Sequence, residues 1–239
     1  MVLEPPPTGT LIPPPISQYP RGSVGAFFRF AWDVLFNLGR ARMQCLGITL
    51  TSKGGVFKKR KYKLDNKAVL LEAKALHREM AEALAMGDKT TLGRVCVKNL
   101  NLSVGAGIER RAGSRRYAWE LVRYNGWRNN PRIVTQMIAP ATAEAGSPLV
   151  RQVVVRIDSR QRRLEYVKSE RGWRLREEST REVDAVENVV LVNMVDPRTW
   201  KTSEWRILGI VGNTTPEQWA AEQESLKAIE EEELRKFKL

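Results

Sequence analysis

Histidine and cysteine are nearly absent: 239 residues contain one histidine, His77, and two cysteines, Cys45 and Cys96. Two thiols cannot build a disulfide framework, so a reducing or neutral compartment fits the chain. One histidine argues against most zinc sites and most histidine-based triads. No apolar run reaches the roughly 18 residues of a membrane-spanning helix. There is no GxxxxGK[ST] loop, and Gly105 and Gly107 lack the third glycine and the preceding strand of a dinucleotide fingerprint. No Gly-x-Ser-x-Gly elbow occurs. Both cysteines have apolar neighbours, a pattern of inert packing. Glu177 and Glu178 lie in a charge-rich turn, where acid pairs are more often solvated than catalytic. These absences lead us to expect no enzyme activity, no cofactor and no metal.

What is present is positive charge, unevenly spread. The formal net charge is +13. Residues 21–136 hold 23 Lys and Arg against 8 Asp and Glu, whereas residues 137–239 hold 17 against 18. The excess therefore lies in the first part of the chain, where a polyanionic partner, nucleic acid or anionic lipid, would use it; plain solubility is the bland alternative. Within it, residues 51–63 read TSKGGVFKKRKYK. Lys53, Lys58, Lys59, Arg60, Lys61 and Lys63, interleaved with Phe57 and Tyr62, have the composition of a phosphate-neutralising, base-stacking segment. A solvated loop or a nuclear-localisation patch has the same letters. Arg110, Arg111, Arg115 and Arg116 form a second basic group and a further candidate RNA contact.

Residues 1–23 carry two PPP runs and form an extended arm, expected to be ordered only against a partner. With Glu4 ahead of any basic residue, the arm does not read as a mitochondrial presequence. Residues 24–64 comprise an apolar helix over 24–46, with Ser23 as its N-cap, and the basic segment. The helix is rich in aromatics, and two readings stand: a core helix, or one lying in a membrane interface or RNA–protein groove through Phe27, Phe28, Trp32 and Phe36. Residues 66–86 form the clearest helix, with Asn66 as cap, a stripe of Val69, Ala73, Leu76, Met80 and Ala83, and Gly87 as stop. His77, on this helix, is expected at the surface or boundary. Asp88 opens a second helix through Thr91, Val95 and Val97, and a third piece starts near Ser103.

After residue 114 the period changes to two. Strands are expected at 116–124, 131–140, 149–158, 162–168, 186–195 and 203–211, with turns at 125–131, 143–148 and 158–161. Short links imply an antiparallel sheet. Helices first and strands after give an α+β fold, with N-terminal helices packed on the apolar face of a curved antiparallel sheet. Residues 213–239 end the chain in a charged helix, capped by Thr215 and opened by Pro216, that is either a solvated tail or a docking helix.

The order of these features resembles a known family. LLEAKALHREMAEALAMGD is followed by RYAWELVRY, PRIVTQMIAP, RQVVVRIDSRQRRLEY and VENVVLVNMVDPRTWKTSEWRILGIV. Over residues 65–212 this looks like the domain shared by the matrix-side subunit of the mitochondrial import motor and the membrane-associated mitochondrial ribosome receptor, nearest to the fungal receptor. The receptor's animal counterpart is a large-subunit ribosomal protein at the tunnel exit. Gln161–Tyr166 and Trp205–Gly209 carry the likeness most specifically. The resemblance implies a cone-shaped, cystatin/NTF-like α+β domain with an apolar recess between helices and sheet. It implies a non-enzymatic role on the mitochondrial large ribosomal subunit near the tunnel exit, in the matrix and peripheral to the inner membrane. The partners it implies are large-subunit rRNA, ribosomal proteins, and the inner membrane or its insertase, with no homo-oligomer. The other branch of the family implies an import-motor subunit that tethers a chaperone to the channel, but the long charged coiled-coil arm of such subunits is not in this sequence. The resemblance supplies no RNA-binding residues; those rest on charge alone.

Overall fold

The structure is a computed structural model describing residues 12–19, 23–53, 59–111, 113–126, 130–142, 144, 146–170, 172–212 and 214–236. It is an α+β fold. Helices α1 (Val24–Thr51), α2 (Asn66–Met86), α3 (Lys89–Val95) and α4 (Lys98–Glu109) precede strands β1 (Arg115–Tyr124), β2 (Arg132–Pro140), β3 (Leu149–Ser169), β4 (Gly172–Leu175), β5 (Arg181–Val195) and β6 (Arg206–Val211). Helix α5 (Pro216–Lys236) follows.

All the strands join one antiparallel sheet organised around β3. One edge of β3 pairs with β2 through residues 149–156 and with β1 through residues 159–167. The other edge pairs with β5 over residues 149–163 and with β4 over residues 166–169. β6 lies outside β5. Register shifts in β1, β2 and β5/β6 add the local twist that lets so long a sheet curve.

The turn expected at 158–161 does not exist. Asp-Ser-Arg-Gln continues the strand because every polar side chain finds a partner there. Ser159 and Gln161 face inward and bond each other, while Arg160 pairs with Asp184 on β5. Sequence also misses the short strand β4 and the first five residues of β5. The third helix starts at Lys98 rather than near Ser103, and α1 runs to Thr51, five residues beyond its expected end.

The main core lies between α2–α4 and one face of the sheet, with Val69, Ala73, Leu76, Met80 and Leu92 against Val153, Val155, Ile157, Val189, Leu191 and Ile207. The other face is covered as well. Ile12 of the arm packs on Val154, Val190 and Val211. That explains why β3 is buried at every position from Arg151 to Val155 instead of alternating. Tyr19 then meets Val34 of α1 and Trp219 of α5. The described part of the arm is thus held by the chain itself, and α5 docks through Trp219, which is 1% exposed.

The α2 ends follow local chemistry. Asp65, not Asn66, is the N-cap and accepts from the Ala68 amide at 3.0 Å. Gly87 closes the helix with φ +78°, a left-handed value that favours glycine. A Cβ there would also sit 3.3 Å from Ile108 Cγ2. Gly87→Ala is therefore expected to cost about 1–2 kcal/mol, read as a lower denaturant midpoint at unchanged slope. An unchanged midpoint contradicts this account of the cap.

Candidate functional site

Helix α1 is apolar on two faces. One faces inward: Val34, Cys45 and Thr49 are buried, and Phe27, Phe30 and Ile48 are half-buried. The second lies open, with Val24, Phe28, Trp32, Leu35, Phe36, Met43, Leu46 and Leu50 between 47% and 75% exposed. At 100° per residue these eight share about 120° of arc along a helix roughly 42 Å long. Exposed Arg29 and Arg42 border the stripe on either side, and the sole acid of α1, Asp33, falls outside it. The inner face therefore packs as a core helix does, while the outer face is left uncovered among the described residues. Of the four aromatic candidates, Phe28, Trp32 and Phe36 belong to the open face. Phe27 is turned partly inward, 5.7 Å from the Tyr19 ring.

The basic segment follows α1 directly. Lys59, Arg60, Lys61 and Lys63 are exposed, Lys53 is half-buried, and none of the five forms an ion pair among the described residues. Lys58 and Phe57 lie outside the described residues. Tyr62 does not serve as a stacking platform. It is 3% exposed, its backbone amide donates to Ser52 Oγ, and its ring packs near Trp200. Tyr62 is the pin that holds the segment to the fold and leaves its cationic neighbours outside.

The second basic group is elsewhere and largely occupied. Arg111 Nη1 donates to the Leu84 and Ala85 carbonyls and so caps the far end of α2, while its guanidinium lies over Tyr117. Arg115 pairs with Glu165 at 3.3 Å, and Arg116 lies 4.2 Å from the Trp173 ring centroid. Arg110 is exposed. Since the 59–63 segment precedes the start of α2 and Arg111 binds its end, about 30 Å of helix separates the two groups. They do not form one patch.

Between the second half of α2 and strands β1, β3 and β5 the packing opens into a recess of about 560 Å³. Met80, Leu84, Tyr117 and Trp119 are among its walls, with Arg111 and Arg163 also lining it. A polar chain crosses it. Trp119 Nε1 donates to Gln161 Oε1 at 2.9 Å, Gln161 Nε2 donates to Glu187 Oε2 at 2.6 Å, and His77 Nε2 meets the same oxygen at 2.9 Å. His77 is 3% exposed, not superficial as expected from sequence, and its Nδ1 has no partner among the described residues. Burial works to raise the Glu187 carboxyl. Hydrogen bonds from His77 and Gln161, with the field of Arg163, outweigh it and hold the group below the ordinary glutamate value. Glu187 is thus ionised at neutral pH and accepts the Nε2 proton of His77.

The cysteines lie away from this chain of bonds. Both are buried, and desolvation pushes the Cys96 thiol up to about 11. Among the described residues no cluster of three metal-binding side chains occurs, and no helix is long and apolar enough to cross a membrane. No protein-family model matches the chain, and no curated protein matches it.

A carboxyl lowered by folding stabilises the fold above its unfolded-state value, and that contribution is lost as pH falls through the folded value. Glu187→Gln should therefore lower stability at pH 7 by about 1–2 kcal/mol. The gap from the unaltered chain should close as pH falls below the ordinary glutamate range, which thermal unfolding at stepped pH will measure. A gap independent of pH contradicts the charged hydrogen bonds.

Proposed function

We propose that the chain is a non-enzymatic component or receptor of the mitochondrial large ribosomal subunit near the tunnel exit, holding rRNA with one surface and the inner membrane with another. One juxtaposition carries the reading: α1 presents an open apolar face, and Lys59, Arg60, Lys61 and Lys63, the next exposed cations described after it, flank the buried Tyr62 with no ion pair among the described residues. An apolar stripe bearing Phe28, Trp32 and Phe36, bordered by Arg29 and Arg42, has the make-up of a helix lying in an anionic lipid interface. Lys59, Arg60, Lys61 and Lys63, splayed from the Tyr62 pin, suit phosphate neutralisation rather than base reading.

The charge balance elsewhere sharpens the contrast. On the sheet, Arg160 is paired with Asp184, and Arg162 with Glu182 and Glu120. Those cations are neutralised within the fold; Lys59, Arg60, Lys61 and Lys63 have no ion pair among the described residues. The resemblance over residues 65–212 supplies the mitochondrial and ribosomal setting. A recess between helix and sheet is consistent with it.

The two surfaces separate by mutation. Changing Lys59, Arg60 and Lys61 together to Glu should abolish co-sedimentation with the large subunit at moderate salt. It should also flatten the salt dependence of RNA binding by about two to three log-log units. Trp32→Glu with Phe36→Glu should weaken binding to anionic vesicles at least about tenfold and leave the melting temperature unchanged, since both side chains are exposed. Unaltered sedimentation, or recovery of import-channel and chaperone subunits in place of ribosomal ones, contradicts the proposal.

A further inference from the structure

The recess beneath α2 takes no part in the proposed contacts, and no α1 residue lines it. We propose that it is a binding site for a single-chain fatty carboxylate, with the tail between helix and sheet and the head at Arg163 and Arg111. Its 560 Å³ falls within the size range of small-ligand pockets and far exceeds the voids of a packed interior. The walls are mostly apolar: Met80 and Leu84 from α2, Tyr117 and Trp119 from β1.

Charge selects the head group. Two guanidinium groups line the recess against one carboxylate, Glu187, whose Oε2 is already taken by His77 and Gln161. The Arg163 side chain is exposed and makes no hydrogen bond or ion pair within 4 Å among the described residues, unlike those of its strand neighbours Arg160 and Arg162. Arg111 is fixed in orientation by its two carbonyl bonds and by Tyr117. A guanidinium fork matches a carboxylate in two parallel hydrogen bonds. Glu187 remains at the side of the tail, its Oε2 held by His77 and Gln161.

The test titrates the full-length protein by calorimetry with hexadecanoate below its aggregation concentration. Hexadecanol and hexadecyltrimethylammonium serve as neutral and cationic counterparts. Saturable one-to-one binding of hexadecanoate is expected, with the other two at least about tenfold weaker. Arg163→Glu should weaken hexadecanoate at least about tenfold, and Ala81→Trp, which fills the recess, should abolish binding. Arg163 is exposed, so its variant tests the head-group contact even where the tryptophan variant fails to fold. Trp32→Glu should bind hexadecanoate as the unaltered protein does, which keeps this site distinct from the α1 face. The proposal is overturned by an absence of saturable binding, by equal binding of all three amphiphiles, by indifference to Arg163→Glu, or by loss of binding in Trp32→Glu.

Discussion

Strand β3 hydrogen-bonds along both edges to four other strands, and helices α2–α4 pack on one face of the sheet that this pairing builds. Its first half is buried on both faces, by α2–α4 on one side and the proline arm on the other. Its second half extends past the helices, where side-chain pairs take over from apolar burial. Arg160 grips Asp184 with both prongs of its fork and pulls that carboxyl down to about 2. The recess lies at the transition, where α2 and the sheet no longer fill the space between them. Its polar chain of Trp119, Gln161, Glu187 and His77 joins β1, β3, β5 and α2.

Helix α1 is anchored differently. Its C-terminal half packs through Cys45 and Ile48 onto Ile138, Val195 and Leu149 at the end of the sheet, and its N-terminal half is clasped by Tyr19 and Trp219. With one face fixed at two places, the other is presented as a straight apolar stripe. Burying aromatic side chains is the largest apolar gain available to a protein surface, so leaving Phe28, Trp32 and Phe36 in water is a cost that the proposed lipid contact would recover. The cations after α1 are held in place by Tyr62 rather than by acidic partners. The proposed function therefore depends on rigid presentation, not on chemistry within a cleft.

Sequence makes the fold class, the antiparallel sheet and helix α2 readable, because each is written in local periodicity and end signals such as Gly87. It hides what depends on distant partners. Asp158–Gln161 reads as a turn by composition, and partners more than twenty positions away, Asn125, Asp184 and Glu187 among them, turn it into strand. His77 sits four residues after Ala73 and three before Met80, so its place on the buried stripe is a usable signal, but its partner is 110 residues away. Tyr62 looks like a stacking ring beside lysines until Ser52 and Trp200 are seen around it. The two basic groups look like one reservoir of charge, yet the length of α2 keeps them apart. Sequence placed α1 between two readings because its two apolar faces, one buried and one open, overlap along a single stretch of residues.

The central claim is that α1 meets lipid with its outer face while its inner face stays in the protein. Spin labels placed singly along residues 24–50, with oxygen accessibility measured on anionic vesicles, test it most directly. The account requires a helical oscillation that peaks at Phe28, Trp32, Leu35, Met43 and Leu46 and falls to a minimum at Val34 and Cys45. A flat profile, or a profile unchanged when the vesicles are removed, would contradict it.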